Sequence, residues 1–445
     1  MEIRIVELVG DEAVGCFVVR NAQERLGEAH EDDTLLRGEV VLLHERVEPA
    51  DLAALGAHAL DETARETEDL RRFGGRQPRA VGQRAHRLRL ISEVVAAHGS
   101  GGARQIGFPV RKYPLGCLLV HGRSVVSAYA MSEKSKRIAL IGAPTDIGAG
   151  RRGAAMGPEA LRVAGLAHAL RRLGHRVDDR GNLSGPINPE RARENGYRHL
   201  PEVVAWCTAV RDAVAGALAD GELPVLMGGD HCLSVGSIAA VARHCAETHR
   251  SLTVLWLDAH ADYNVAESSP TGNVHGMPVA VITGHGPQEL LDLGHARPMV
   301  APERFIQIGV RSVDEIEKRL LASTEIEVYD MRRIDELGMR AVMKQVLARA
   351  LAEQCHLHVS LDVDFLDPGI APGVPTTVPG GPTYREAQLC MEMIYDTGLL
   401  ASLDITELNP AYDVHNRTAI LAEELVESLF GEQILARATA SRYEL

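Results

Sequence analysis

Leu255-Trp256-Leu257-Asp258-Ala259-His260-Ala261-Asp262 decides how this chain reads. An apolar run stops at three carboxylate or imidazole side chains on alternate positions. In an extended chain alternate residues point the same way, so Asp258 and His260 face one place. Asp262 joins them as the chain turns off the strand. Two other stretches repeat the pattern. Val225-Leu226-Met227-Gly228-Gly229-Asp230-His231 closes an apolar run with a histidine, and Val359-Ser360-Leu361-Asp362-Val363-Asp364 closes one with two aspartates. Three parallel strands are expected to meet at one metal centre, at the carboxyl ends where open α/β sheets build their sites.

The candidate ligands are therefore His231, Asp258, His260, Asp262, Asp362 and Asp364. One Asp-x-His or Asp-x-Asp in a loop is ordinarily a turn or a cap. Three such points, each ending an apolar run, are more than turn chemistry produces. Four carboxylates and two imidazoles are a hard, oxygen-rich set that favours Mn²⁺, with Mg²⁺ or Fe²⁺ behind it. Without cations, each carboxylate pair at ~4 Å would cost about 4 kcal/mol at an effective dielectric of about 20. Two divalent ions would neutralise the four charges.

Outward from this centre, strand and helix patterns alternate. Strands are expected at Ile138–Gly142, Pro224–Met227, Thr253–Leu257, Phe305–Val310, Glu327–Tyr329, His356–Leu361 and Leu399–Ile405. Helices are expected at Glu159–Leu173, Glu202–Ala219, Ser234–His249, Val313–Ala322, Gly338–Glu353, Thr383–Asp396 and Thr418–Phe430, with a helix or turn from Pro278 to Thr283. This βαβ rhythm implies a mostly parallel sheet covered by helices on both faces. The glycine loop Gly148–Gly157 lacks the spacing and the Lys-Ser/Thr of a P-loop. It reads as a strand-to-helix turn or the mouth of the site.

Residues 1–130 read poorly as part of this unit. Short strands are expected at Ile3–Val9 and Glu39–Leu43 and a helix from Pro49 to about Phe73; Arg71 to Arg89 holds seven arginines. Met131-Ser132-Glu133-Lys134-Ser135-Lys136 is a polar leader to the first catalytic strand. The expectation is a small appended domain or an extension at 1–130 and a catalytic domain at 131–445.

Composition sets bounds on this reading. A net charge of −14 over 445 residues argues against a nucleic-acid or anionic-membrane binder. The seven cysteines are scattered without a CxxC pair, which fits reduced thiols in a cytosol. No secretory signal pattern opens the chain, and no apolar run approaches the ~20 residues of a membrane helix. A cytoplasmic protein is expected.

The motifs Gly228-Gly229-Asp230-His231, Asp258-Ala259-His260-Ala261-Asp262-Tyr263-Asn264 and Ser360-Leu361-Asp362-Val363-Asp364-Phe365-Leu366-Asp367-Pro368 resemble those of the ureohydrolases, the arginases in particular, from about Arg137 to about Leu435. The resemblance implies a three-layer α/β/α fold around an eight-stranded parallel sheet and two Mn²⁺ per subunit on the six ligands. It implies hydrolysis of L-arginine to L-ornithine and urea by a metal-bridging hydroxide attacking the guanidinium carbon. Thr271-Gly272-Asn273-Val274-His275-Gly276-Met277-Pro278 is similar to the arginase substrate loop; agmatinases tend to read His-Gly-Thr there. It implies Asn264, Thr271 and Asn273 around the substrate α-carboxylate, Asp314 on the α-amino group and Glu317 assisting through water. Glu407 would pair with the guanidinium, His275 would shuttle the proton to the leaving amine, and Asp262 would take one from the nucleophile. A homotrimer or homohexamer is implied. The competing expectations are another guanidino-compound hydrolase, acting on agmatine for instance, and a metal-stabilised binding protein without turnover.

Overall fold

The computed structural model describes residues 117–121, 124–128 and 135–434. The strands expected at 3–9 and 39–43, the helix expected at 49–73 and the arginine-rich 71–89 lie outside these residues. The chain divides into two units, Met1–Glu133 and Lys134–Leu445. In the first, β1 (Cys117–His121) and β2 (Ser124–Ala128) pair antiparallel.

The second unit opens with β3 (Arg137–Gly142), α1 (Gly157–Ala164), α2 (Leu166–Arg172), β4 (Arg176–Asn182) and α3 (Leu200–Ala219). It continues with β5 (Leu223–Met227), α4 (Ser234–Glu247), β6 (Leu252–Leu257), α5 (Pro278–Ile282) and α6 (Gln288–Leu291). Next come β7 (Phe305–Val310), α7 (Glu315–Leu321), β8 (Glu327–Asp330), α8 (Met331–Leu337) and α9 (Met339–Glu353). It closes with β9 (His356–Asp362), α10 (Tyr384–Thr397), β10 (Leu400–Thr406) and α11 (Arg417–Phe430). The strands form one eight-stranded sheet in the order β4-β3-β5-β10-β9-β6-β7-β8. Every pairing in it is parallel.

Both faces of this sheet are covered. One apolar cluster joins β3, β5 and β9 to residues of α1, α2, α9, α10 and α11; the other joins the sheet to α3, α4 and α5. The inner strands β5, β6, β7 and β9 are buried at every position. Burial on both sides is why β5 and β6 read as near-continuous apolar runs, whereas β9 alternates His356, His358 and Ser360 with Leu357, Val359 and Leu361.

The structure departs from the expectations at several points; β1, β2 and α6 were not expected. β4 was not expected: Arg176-Val177-Asp178-Asp179-Arg180-Gly181-Asn182 holds one apolar residue. It lies at the sheet edge, where charged side chains block further pairing. The single helix expected over Glu159–Leu173 is two, broken at Gly165, which takes φ 100°. Gly338, at φ 81°, likewise separates α9 from α8, a helix unforeseen in the sequence. The helix expected from Val313 starts at Glu315, with Asp314 as its N-cap. By contrast, α10 begins as Thr383-x-x-Glu386 suggests, with a capping box. Among the described residues no helix is long and apolar enough to cross a membrane.

The register positions the site. Met227, Ile405, Leu361, Leu257 and Ile308 are successive partners across β5, β10, β9, β6 and β7. β5 and β6 follow one another in sequence, yet β10 and β9 lie between them. Residues just past the ends of four neighbouring strands are thereby brought to one edge.

Candidate metal centre

His231 follows Gly228-Gly229 at the end of β5. A Cβ on Gly229 would lie 1.6 Å from the carbonyl oxygen of Thr145, so only glycine allows this turn. The imidazole is 1% exposed. Its Nε2 bonds Ser360 Oγ at 2.9 Å. Its ring stacks on Trp256 at 3.9 Å. That leaves Nδ1 facing Asp258 Oδ2 at 3.1 Å, Asp362 Oδ2 at 3.1 Å and Asp262 Oδ2 at 3.4 Å. Despite these distances Nδ1 makes no hydrogen bond. A bare, buried nitrogen aimed among three carboxylate oxygens is what a cation site requires.

A second group stands beside the first. His260 Nδ1 lies 3.0 Å from Asp364 Oδ2 and 3.5 Å from Asp258 Oδ1. The donor atoms of His231, Asp258 and Asp262 lie within 4.8 Å of one another, as do those of Asp258, His260 and Asp364. Asp258 belongs to both groups. Asp362 joins the first through His231. All six expected ligands therefore converge.

The donors are themselves held. Trp256 Nε1–H donates to Asp258 Oδ2 at 2.9 Å, and the His260 N–H donates to Asp258 Oδ1 at 2.6 Å. Asp364 accepts from the Ala259 N–H and from Thr376 Oγ1, both at 3.1 Å. The Asp364 N–H donates to Asp362 at 2.7 Å. Arg311 donates to the carbonyls of Gly309, Asp364, Phe365, Leu366 and Val378, clamping the loop after β9. Sequence reading missed Trp256, Ser360, Thr376 and Arg311 as supports. Trp256 and Ser360 carried a signal of face only, each standing two residues before a donor, Asp258 or Asp362, on the same side of its strand.

The electrostatics mark strain without a cation. Burial, then the neighbouring carboxylates, push Asp262 and Asp362 well above the usual carboxylate range. Burial also opposes the charge on Asp258, yet His231 and His260 override it and hold that carboxyl low. Four carboxylates here cannot all ionise unless positive charge enters. Six hard donors fit divalent ions, and Mn²⁺ among them.

Glu407 sits beside this cluster, just past β10. It is 1% exposed and takes a left-handed φ of 60°; Asp262 does the same at φ 50°. Such conformations in non-glycine residues concentrate at functional sites. Glu407 Oε1 accepts from the His231 N–H at 2.9 Å and lies 3.0 Å from His275 Nδ1. Its Oε2 is buried without a partner. His275 is fixed by its own N–H, which donates to the Gly148 carbonyl at 3.2 Å.

The expected substrate contacts are gathered less tightly. Asn264 donates to Asp314 Oδ2 at 3.3 Å and accepts from Ser268 Oγ at 2.8 Å. Thr271 Oγ1 accepts from the Asn273 N–H at 3.2 Å. Asn273 Oδ1 is buried without a partner. Glu317 is 3% exposed and accepts from the Tyr263 N–H at 2.7 Å and the Asp314 N–H at 3.0 Å. It braces Tyr263 and Asp314 directly.

Fold and donor cluster together define an α/β protein with a candidate two-cation centre. The model of the arginase family matches residues 136–431. The arginase of Brucella melitensis is 46% identical over 303 residues, 68% of this chain and 98% of that protein. The native structure at pH 5.6 of the arginase from Bacillus caldovelox is 41% identical with a TM-score of 0.64, covering 67% of this chain and 100% of that one. An Entamoeba histolytica arginase in complex with L-ornithine is 28% identical with a TM-score of 0.62, covering 67% and 100%. The chain belongs to the arginase family.

Proposed function

We propose that this chain hydrolyses L-arginine to L-ornithine and urea with two Mn²⁺ per subunit. The observation that carries the reading is the convergence of six hard donors beside Glu407 Oε2, a buried oxygen without a partner. His231, Asp258, Asp262 and Asp362 would hold one cation, and Asp258, His260, Asp362 and Asp364 the other. When bound, the pair supplies a strong nucleophile from water near neutral pH.

The chain's own residues do the rest. Glu407 Oε2 takes the guanidinium of the substrate and fixes its carbon over the donor cluster. His275 keeps Nδ1 on Glu407 and uses Nε2 to deliver a proton to the leaving amine. Asp262 accepts the proton released by the nucleophile. One water is consumed, one C–N bond breaks, and the amine leaves protonated. Asn264, Thr271 and Asn273 receive the α-carboxylate, and Asp314, braced by Glu317, the α-amino group. Family membership supports a cytoplasmic homotrimer or homohexamer. Residues 1–130 lie outside the family match.

Urea release from arginine and from agmatine tests the reading, on the full chain and on a chain starting at Met131. Agmatine has no α-carboxylate, so arginine should be strongly preferred in both. Equal turnover of the two would transfer the assignment to another guanidino hydrolase, and no urea from either would refute hydrolysis.

A further inference from the structure

In a sheet buried on both sides, strand interiors should be apolar. One side of β9 and β10 is not. β9 presents His356, His358 and Ser360 at alternate positions before its terminal Asp362. β10 presents Ser402, Asp404 and Thr406, with Ser402 beside His358 and Asp404 beside Ser360. All six are at most 2% exposed. Helix α4 answers them with two serines one turn apart. Ser237 Oγ donates to Asp404 Oδ1 at 2.6 Å, and Ser234 Oγ lies 3.2 Å from Ser360 Oγ.

These contacts run from α4 into β10 and β9. Asp404 Oδ1 is the acceptor for Ser237. Its Oδ2 lies 3.3 Å from His358 Nε2, with no hydrogen bond between them. His358 Nδ1 is 2.8 Å from Ser402 Oγ, and His356 Nε2 is 3.0 Å from that same oxygen. Ser402 Oγ thus bridges the two imidazoles within the sheet. The order Asp–His–Ser resembles a hydrolytic triad, but Ser402 is 0% exposed and no substrate reaches it. The contacts lead instead toward the cation centre: Ser360, the strand partner of Asp404, takes His231 Nε2.

We propose that Asp404 is a positioning residue for the cation centre: with His358, Ser402 and Ser237 it locks the first turns of α4, and therefore His231, at a fixed distance from Asp362. His231 precedes α4 and Asp362 ends β9, so the 3.1 Å between them is set by how α4 seats on β9 and β10. Apolar contacts along that boundary tolerate sliding; the two serine contacts do not. The proposal rests on the six-donor reading above.

The test is Mn²⁺ titration of the metal-stripped full chain by calorimetry, alongside its melting temperature without metal. In Asp404→Asn the charge facing His358 is lost and an amide donor competes for the place that accepts from Ser237, loosening the contact with α4. Binding should weaken roughly ten- to hundredfold, the usual scale for the outer partners of a metal ligand. Ser237→Ala removes one link with little risk to folding and should weaken binding in the same direction by less. Val346→Ala, in α9 within the other apolar cluster, is the control. It should lower the melting temperature and leave affinity unchanged. Wild-type affinity in both seam variants would overturn the proposal, as would equal weakening in the control at the same loss of melting temperature. A wild-type chain that takes up no Mn²⁺ would instead overturn the six-donor reading.

Discussion

Glu407→Gln separates guanidinium binding from metal binding. Glu407 belongs to neither cation group, so metal content should not change. Its backbone stays at φ 60° with either side chain, so no new strain enters. The wild-type Oε1 accepts from His231, leaving Oε2 for substrate. The glutamine oxygen keeps the bond to His231, which turns the amide NH₂ toward the guanidinium and sets donor against donor. A charge-assisted hydrogen bond contributes roughly 1.5–3 kcal/mol. At about 1.4 kcal/mol per tenfold, its loss is roughly 10- to 150-fold in kcat/KM, and the added repulsion puts the result at the upper end. Steady-state urea release with metal analysis of the same sample reads both quantities. A kcat/KM within about threefold of wild type, at full metal content, would refute the assigned role.

Other substitutions probe other links. His275→Asn should keep its metal and lose ~10²-fold or more in turnover, the usual scale for lost acid–base help; unchanged turnover removes His275 from the mechanism. Asp258→Ala should lose both cations, because Asp258 belongs to both groups; metal analysis showing one retained ion would contradict that sharing. His356 is held neutral, its pKa pushed down to about 3 by burial and then by His358, Arg250, His244 and Lys136. The unfolded chain takes up that proton below about pH 6.5 while the folded one refuses it, so stability falls as pH falls. The residue should cost about 2 kcal/mol between pH 7.5 and pH 5. Denaturant midpoints at the two pH values should therefore differ less in His356→Gln than in wild type.

How far this could be read from sequence follows from where each residue sits. β5 and β6 were legible because burial on both faces makes them near-continuous apolar runs, and β9 and β10 because an apolar residue still recurs along them. The donors were legible because turns and caps rarely put paired charges at the close of such a run, and here three runs close that way. β4 was not, since an edge strand needs no apolar face. Gly165 read as helix interior because a break by left-handed glycine looks like tolerated glycine until φ is known. Ser360 and Asp404 were hidden for a different reason. Their partners, His231 and Ser237, are more than a hundred residues away, and only strand order brings them together.

Anomalous scattering at the manganese edge, from crystals of the full chain grown with Mn²⁺, tests the central claim most directly. Two peaks are predicted, one among His231, Asp258, Asp262 and Asp362 and one among Asp258, His260, Asp362 and Asp364. A single peak, or peaks away from these side chains, would contradict a two-cation centre at the carboxyl edge of the sheet.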